Sequence, residues 1–266
     1  MQSDPTAELK AILRDFVADR DVLDVGSVNH FFKGANWSRG WIFDFLLSEA
    51  RAVRGIDIAK RQVRAARKAG YDIRVADAEL YRAERRFEVV LASDLIEHLS
   101  NPGMFLACAR ANLEPGGRLV LVTPNGYCLR EIYMVVKGWT NDPDVHWQHV
   151  CYFTPRTLTA LAARAGFALE EIRYANIHYK QVSPLQRVLL WVNRRFCRIF
   201  PRFSQTMILV FRMQGEAGEG AAPGECAALS SENDNLPIDR APALAYPGSG
   251  RVVGQGRAAA GSEKSP

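Results

Sequence analysis

The chain has 266 residues, 48% of them hydrophobic and 24% charged, an ordinary balance for a globular protein that buries a full core. It contains no apolar run of about 18 residues, which rules out a spanning helix. The five cysteines (Cys108, Cys128, Cys151, Cys197 and Cys226) are odd in number and form no Cys-x-x-Cys pair, which argues against a disulfide framework and for a reducing compartment.

The formal charge of +5 hides an asymmetry. Residues 214–266 carry 7 acids and 4 bases, whereas residues 1–213 carry 22 acids and 30 bases. A basic folded part favours anionic partners without choosing among phosphorylated substrates, anionic lipid and nucleic acid. The start Met1-Gln2-Ser3-Asp4-Pro5 is polar and no apolar core follows, so a cytoplasmic location is expected.

In chain order, Asp4-Pro5 reads as a helix cap with proline at the first helical position. Leu9, Ile12, Leu13, Phe16 and Val17 then repeat at helical spacing. Residues 21–25 predict a short buried strand, and Gly26 follows where the backbone must turn sharply. Residues 26–36 predict a long loop, 38–49 a helix, 52–58 a second strand ending near Asp57, and 59–69 a basic helix ended by Gly70. A third strand is expected at 72–76, a fourth at 87–92, a helix from Asn101-Pro102 to about 113, and a turn at Pro115-Gly116-Gly117. The near-continuous apolar run 118–123 predicts a central fifth strand. Helices are expected over 129–136, from Thr154-Pro155 to Gly166, and over 184–200, with strands at 167–174 and 206–212.

Alternating strands and helices predict an α/β fold with a mostly parallel sheet and helices on both faces. Residues 1–213 form its single domain. The Gly-, Ala-, Pro- and Ser-rich stretch 214–266 cannot offset its own ordering entropy and is expected to be disordered.

Several motifs then stand in a telling order. They are Val22-Leu23-Asp24-Val25-Gly26, Gly55-Ile56-Asp57-Ile58, Ala76-Asp77-Ala78, and Phe87 through Asp94-Leu95-Ile96-Glu97-His98. Pro115 to Asn125 and His149-Val150-Cys151-Tyr152-Phe153-Thr154-Pro155 continue the series. Together they resemble the class I S-adenosylmethionine-dependent methyltransferases, in particular the small-molecule group that includes ubiquinone-biosynthesis-type enzymes. The resemblance covers roughly residues 10–213 and implies a Rossmann-like seven-stranded sheet with an antiparallel last strand. It implies S-adenosyl-L-methionine as cofactor. Asp24 and Gly26 would lie beside its methionine part, Asp57 and Ile58 at its ribose, Asp77 and Ala78 at its adenine, and Ser93 and Asp94 again on the methionine side.

Each of these residues also has a plainer reading. Asp57 would serve equally as the cap of the following helix, and Asp77 as a turn residue. One departure from the family stands out: its glycine loop reads Asp-x-Gly-x-Gly-x-Gly, and Val28 and His30 occupy the second and third glycine positions. Side chains there are expected to crowd a close backbone approach. A nicotinamide fingerprint fits worse, since it needs glycine where Val28 and Phe31 stand.

Methyl transfer to a hydroxyl needs alignment and a base, and His149, His98 and His146 are the candidates. Each could instead be an ordinary loop histidine. His146-x-x-His149-x-Cys151 is compact enough to raise metal binding, yet no further ligand cluster accompanies it, and no metal is expected. In the 184–200 helix, Leu185, Val188, Leu189, Val192, Phe196 and Ile199 share a face, and residues 182–203 carry five arginines and no acid. That segment suits either a core-packed helix with a solvated basic face or a peripheral contact with an anionic membrane at its inner face. No nucleic-acid module accompanies the arginines. The expected function is methyl transfer, at oxygen, to a small or lipid-linked acceptor. A soluble phenolic or quinone-like acceptor is the nearest alternative, and an inactive cofactor-binding scaffold the alternative of a different class.

Overall fold

Successive strands of the sheet send alternate side chains to opposite faces, and this alternation builds two cores. In the computed structural model, which describes residues 4–28, 40–136, 149–177 and 184–214, these strands are β1 (Asp21–Val25), β2 (Ala52–Asp57), β3 (Ile73–Val75), β4 (Phe87–Ser93), β5 (Leu113–Pro124), β6 (Phe167–Ala175) and β7 (Thr206–Met213). Leu23, Val25, Val90, Leu119 and Leu121 face one way and pack on Phe105, Leu106 and Ala109 of α4 (Pro102–Asn112) and on Leu158 and Ala162 of α6 (Pro155–Arg164). Val22, Val89, Leu91, Val120 and Val122 face the other way, onto Leu9, Leu13 and Phe16 of α1 (Ala7–Val17) and Phe45 and Leu46 of α2 (Ile42–Glu49). A smaller cluster joins Val28, Trp41 and Phe43 to Val63 and Ala66 of α3 (Lys60–Lys68) and to Ile73.

The seven strands stand in the order β3-β2-β1-β4-β5-β7-β6. All pairs from β3 to β5 are parallel, and β7 runs antiparallel to both of its neighbours. This is the sheet the resemblance implies. The order reverses between β1 and β4; at such a reversal open α/β sheets bind ligands in the crevice beyond the carboxyl ends of their strands, here those of β1, β2 and β4.

Local departures from the sequence reading have physical causes. Asp4 does not cap α1 directly. Its Oδ1 accepts the Thr6 N–H and hydroxyl at 2.8 and 2.6 Å, and the helix starts two residues beyond Pro5. The Pro115–Gly117 turn is a bulge at the start of β5: Leu113 pairs with Phe87 and Arg118 with Val89, with Gly116 at φ +75° between them. The strand carrying Asp57 ends there, so Ile58 lies beyond it and is exposed.

α5 (Leu129–Val136) and α7 (Pro184–Ile199) form as expected. Thr154 caps α6 with a reciprocal Thr154–Thr157 box, so its start is set by sequence alone. Gln214 is still tied to the domain, its N–H donating to the Gly166 carbonyl at 3.0 Å. The proposed tail 215–266, most of the long loop 26–36, the polar stretch 141–148 that the sequence predicts as a loop, and with them His30 and His146, lie outside the described residues.

Candidate functional site

β1 ends in Asp24-Val25-Gly26, and Gly26 adopts φ +83°, a conformation glycine takes freely. A Cβ there would also meet the Leu95 side chain at 3.2 Å. The Gly26 and Ser27 N–H groups both donate to the Ile56 carbonyl, at 2.9 and 3.1 Å, which folds the loop back over the end of β2. Trp41 Nε1 donates to the Ser27 carbonyl at 2.7 Å and fixes it from the other side.

The crowding expected at Val28 does not arise. Its side chain is buried among Trp41, Phe43, Val63, Ala66 and Ile73, while its N–H donates to Asp57 Oδ2 at 2.8 Å. Asp57 Oδ1 accepts the Ala59 N–H at 2.8 Å, which fixes the turn just before α3; Ala59 itself stands at the cap position of that helix, so Asp57 is not its N-cap.

Asp24 is 3% exposed. Burial pushes its carboxyl up to about 7; the charge of Asp57 adds to the push and the Ser27 hydroxyl opposes it. Asp94 follows β4 in the left-handed region at φ +50°, its N–H extending the ladder to the Val122 carbonyl at 2.9 Å. Burial raises its carboxyl as well. Three carboxyl groups thus converge at the ends of β1, β2 and β4, an environment that favours a cation. Ser93 closes β4, half-buried. Asp77 begins the turn after β3, its Oδ1 accepting the Glu79 N–H at 2.9 Å, with Ala78 packed on the core beside it.

The second group of the site is built on a one-turn helix, Ile96–His98. The Glu97 carbonyl accepts the Val150 and Cys151 N–H groups at 2.9 and 3.2 Å, which draws the segment after the polar loop onto this turn. His98 and His149 therefore meet edge to face, with ring centroids 4.6 Å apart. Tyr152 stands against His149 at 6.0 Å.

Glu97 is the residue the sequence reading passed over. Its side chain is 1% exposed; Oε2 accepts the Thr123 hydroxyl at 2.9 Å and Oε1 has no partner among the described residues. Burial raises this carboxyl strongly and the nearby Asp94 raises it further. The only signal in the sequence was an acid set in the apolar run Leu95-Ile96-Glu97-His98-Leu99.

The ligating atoms of Glu97, His98 and His149 lie within 4.8 Å of one another. Three such atoms with an open position match the donor set of a catalytic zinc; a structural zinc would want a fourth. The sequence motif suggested a different set, His146, His149 and Cys151. In the structure His149 is joined by Glu97 and His98 instead, and Cys151 is not part of the group.

Residues 1–172 match the family described as "Methyltransferase domain". The chain belongs to that family. With the strand order above, this makes it a class I S-adenosylmethionine-dependent methyltransferase, and S-adenosylmethionine is its cofactor. Curated relatives include the ubiquinone biosynthesis O-methyltransferases of Azorhizobium caulinodans and Aeromonas salmonicida. The first is 30% identical over 100 residues, 35% of this chain and 38% of that protein. The second is 22% identical over 204 residues, 67% of this chain and 78% of that protein. The match thus spans well under half of the Azorhizobium protein. Among solved structures, the methyltransferase from Archaeoglobus fulgidus is 20% identical with a TM-score of 0.51, covering 77% of this chain and 93% of that one. The enzyme from Mesorhizobium loti is 17% identical with a TM-score of 0.52, covering 79% and 98%. At such identities the two structures speak for the fold.

The acidic crevice of this methyltransferase fits that cofactor. An ionised carboxylate such as that of Asp57 accepts from hydroxyls, and a sulfonium beside Asp24 and Asp94 would reverse the push that burial exerts on them.

Proposed function

We propose that this methyltransferase carries a methyl group from S-adenosylmethionine to a hydroxyl oxygen of a small or lipid-linked acceptor. In this reading Asp24, Gly26, Ser93 and Asp94 flank the methionine part of the cofactor, Asp57 and Ile58 its ribose, and Asp77 and Ala78 its adenine. The cofactor supplies an electrophilic methyl; the protein aligns it with the acceptor and removes the acceptor's proton.

The observation that carries the reading is the meeting of His98 and His149, 4.6 Å between centroids, beside the buried Glu97. An imidazole faced by a carboxyl group and by a second imidazole is equipped to take a hydroxyl proton and hold it. His149 is the base in this reading, with His98 as its neighbour; His146, in the loop before it, is a further candidate. The names of the curated relatives, O-methyltransferases of ubiquinone biosynthesis, also favour oxygen as the methylated atom. A lipid-linked acceptor would bring the site to a membrane surface, and the basic helix α7 supports that choice.

The test is His149→Ala, assayed on a panel of phenolic and lipid-linked hydroxyl acceptors. The expected result is a kcat lowered roughly 100-fold or more, with S-adenosylhomocysteine affinity within about three-fold of the parent. Unchanged turnover would remove His149 from the mechanism.

A further inference from the structure

Among the described side chains of α7, residues 191–199, two members of the apolar stripe stand outside the core. Val192 is 51% exposed, Ile199 73% and Trp191 62%, with Phe200 exposed just beyond the helix. The inward side is made instead by Cys197, Asn193 and Phe196. Cys197 Sγ donates to Asn193 Oδ1 at 3.6 Å, and Phe196 packs on Phe200 and Phe203. Of the apolar face expected for this helix, Val192 and Ile199 are exposed and Phe196 half-buried, over the described side chains, residues 191–199.

Arginines interleave these apolar groups. Arg194, Arg195, Arg198 and Arg202 are all exposed, and the Arg195 guanidinium lies over the Trp191 ring at 5.9 Å. No acid occurs from residue 182 to 203. An exposed tryptophan and aliphatic groups, set among cations that no acid of the same segment opposes, match the charge and polarity of an anionic bilayer surface.

The face also lies at the functional end of the sheet. α7 connects the end of β6 to the start of β7, and Thr206 pairs with Pro124 at the carboxyl end of β5. The Asn125 amide donates to the Arg202 and Ser204 carbonyls at 2.8 Å each, which ties the turn after α7 to that end. Val150 and Tyr152, beside His149, are exposed apolar groups as well. No described helix is long and apolar enough to cross a membrane, so contact would be at the surface.

We propose that α7 and the turn after it dock this protein on an anionic bilayer. Trp191, Val192, Ile199 and Phe200 enter the headgroup layer, and Arg194, Arg195, Arg198 and Arg202 meet lipid phosphates. A hydroxyl carried on a lipid would then reach the His149 side of the site from the bilayer; this consequence rests on the methyl-transfer reading above, and the docking itself does not.

The experiment is flotation of the full chain with vesicles of phosphatidylcholine alone and of phosphatidylcholine with roughly 30% phosphatidylglycerol. Binding is expected to the anionic vesicles, weakened about ten-fold or more by the pair Arg194→Glu and Arg198→Glu, by the pair Trp191→Ser and Ile199→Ser, and by high salt. Circular dichroism and titration with S-adenosylhomocysteine check that each variant is folded. Folded parent protein that stays off anionic vesicles overturns the docking. Binding that both folded double variants retain overturns it too, by moving the contact elsewhere. Tighter binding to a single-stranded RNA, lost with the same arginines, would replace the bilayer with a polynucleotide. Protein that binds the cofactor product but no vesicle leaves the methyltransferase reading standing; protein that floats but binds no cofactor product does the reverse.

Discussion

The carboxylate of Asp57 holds the backbone of Val28: Oδ2 accepts the Val28 N–H at 2.8 Å, while Oδ1 accepts that of Ala59. One side chain therefore fixes the loop after β1 and the start of α3 together, and both border the crevice. Asp57→Ala is expected to weaken S-adenosylhomocysteine binding roughly 30-fold or more, because it removes ligand acceptors and frees the loop at once. Asp57→Asn keeps one carbonyl acceptor and should fall between the two. Equal affinity of Asp57→Ala and the parent in a calorimetric titration would exclude Asp57 from the cofactor site.

Gly55 makes that arrangement possible from beneath. A Cβ at this position would lie 2.5 Å from Ser27 Oγ, 2.7 Å from the Phe43 ring and 2.9 Å from Ile73. Gly55→Ala should destabilise the fold by about 1–3 kcal/mol through overpacking and loosen Ser27 and Val28. Chemical denaturation gives the first number. Product binding by the folded fraction, expected to weaken about ten-fold, gives the second. A variant as stable as the parent would show that the strand shifts freely.

The sheet was readable because its signals are local. Val22-Leu23 and Leu119 through Val122 are apolar runs of strand length, and Gly26, Gly70 and Gly166 stand where the backbone turns to positive φ. The site was only half readable. Asp24, Asp57 and Asp94 could be located because each stands at or next to the carboxyl end of a strand. Glu97 could not, because its burial comes from a turn packed beneath Thr123, a contact 26 residues away in sequence. Val28 was misjudged for a related reason: whether its side chain points at a ligand or into Trp41 and Phe43 depends on Asp57 holding its N–H. Periodicity gave α7 an apolar face but carries no information on what covers it.

The Asp24 carboxyl makes both stability and ligand choice depend on pH. Burial holds it near 7, so between about pH 4 and 7 the folded protein keeps a proton that the unfolded chain has lost. Asp24's contribution to stability should therefore fall as pH rises through that window and level off above it, while Glu97, raised to about 8, prolongs the fall. Asp24→Asn removes that residue's share of the slope, leaving the share of Asp94 and Glu97, and is expected to stabilise the ligand-free protein at pH 8 by roughly 1–3 kcal/mol. Binding should show the opposite trend for a cation. Affinity for S-adenosylmethionine should rise from about pH 6 to 8 as Asp24 ionises, while that for the uncharged sulfur of S-adenosylhomocysteine stays nearly flat. Titrations of both ligands across this range decide the matter. Parallel pH profiles would show that Asp24 does not face the sulfonium.

Glu97 permits a substitution that separates chemistry from architecture. In Glu97→Gln the Thr123 hydroxyl can still donate to a carbonyl oxygen, and the residue 97 backbone carbonyl still receives the Val150 and Cys151 N–H groups. Fold and cofactor affinity are expected to hold within about two-fold, while kcat drops about ten-fold or more, since the amide cannot exchange a proton with the imidazoles. Unchanged kcat would reduce Glu97 to a packing role. The same assay after EDTA treatment distinguishes two uses of the Glu97, His98 and His149 group. Turnover that survives assigns the imidazoles to proton transfer, the expected result. Turnover lost with EDTA and restored by zinc would show that the three side chains hold a metal, which would then lower the pKa of the acceptor hydroxyl in place of a histidine base.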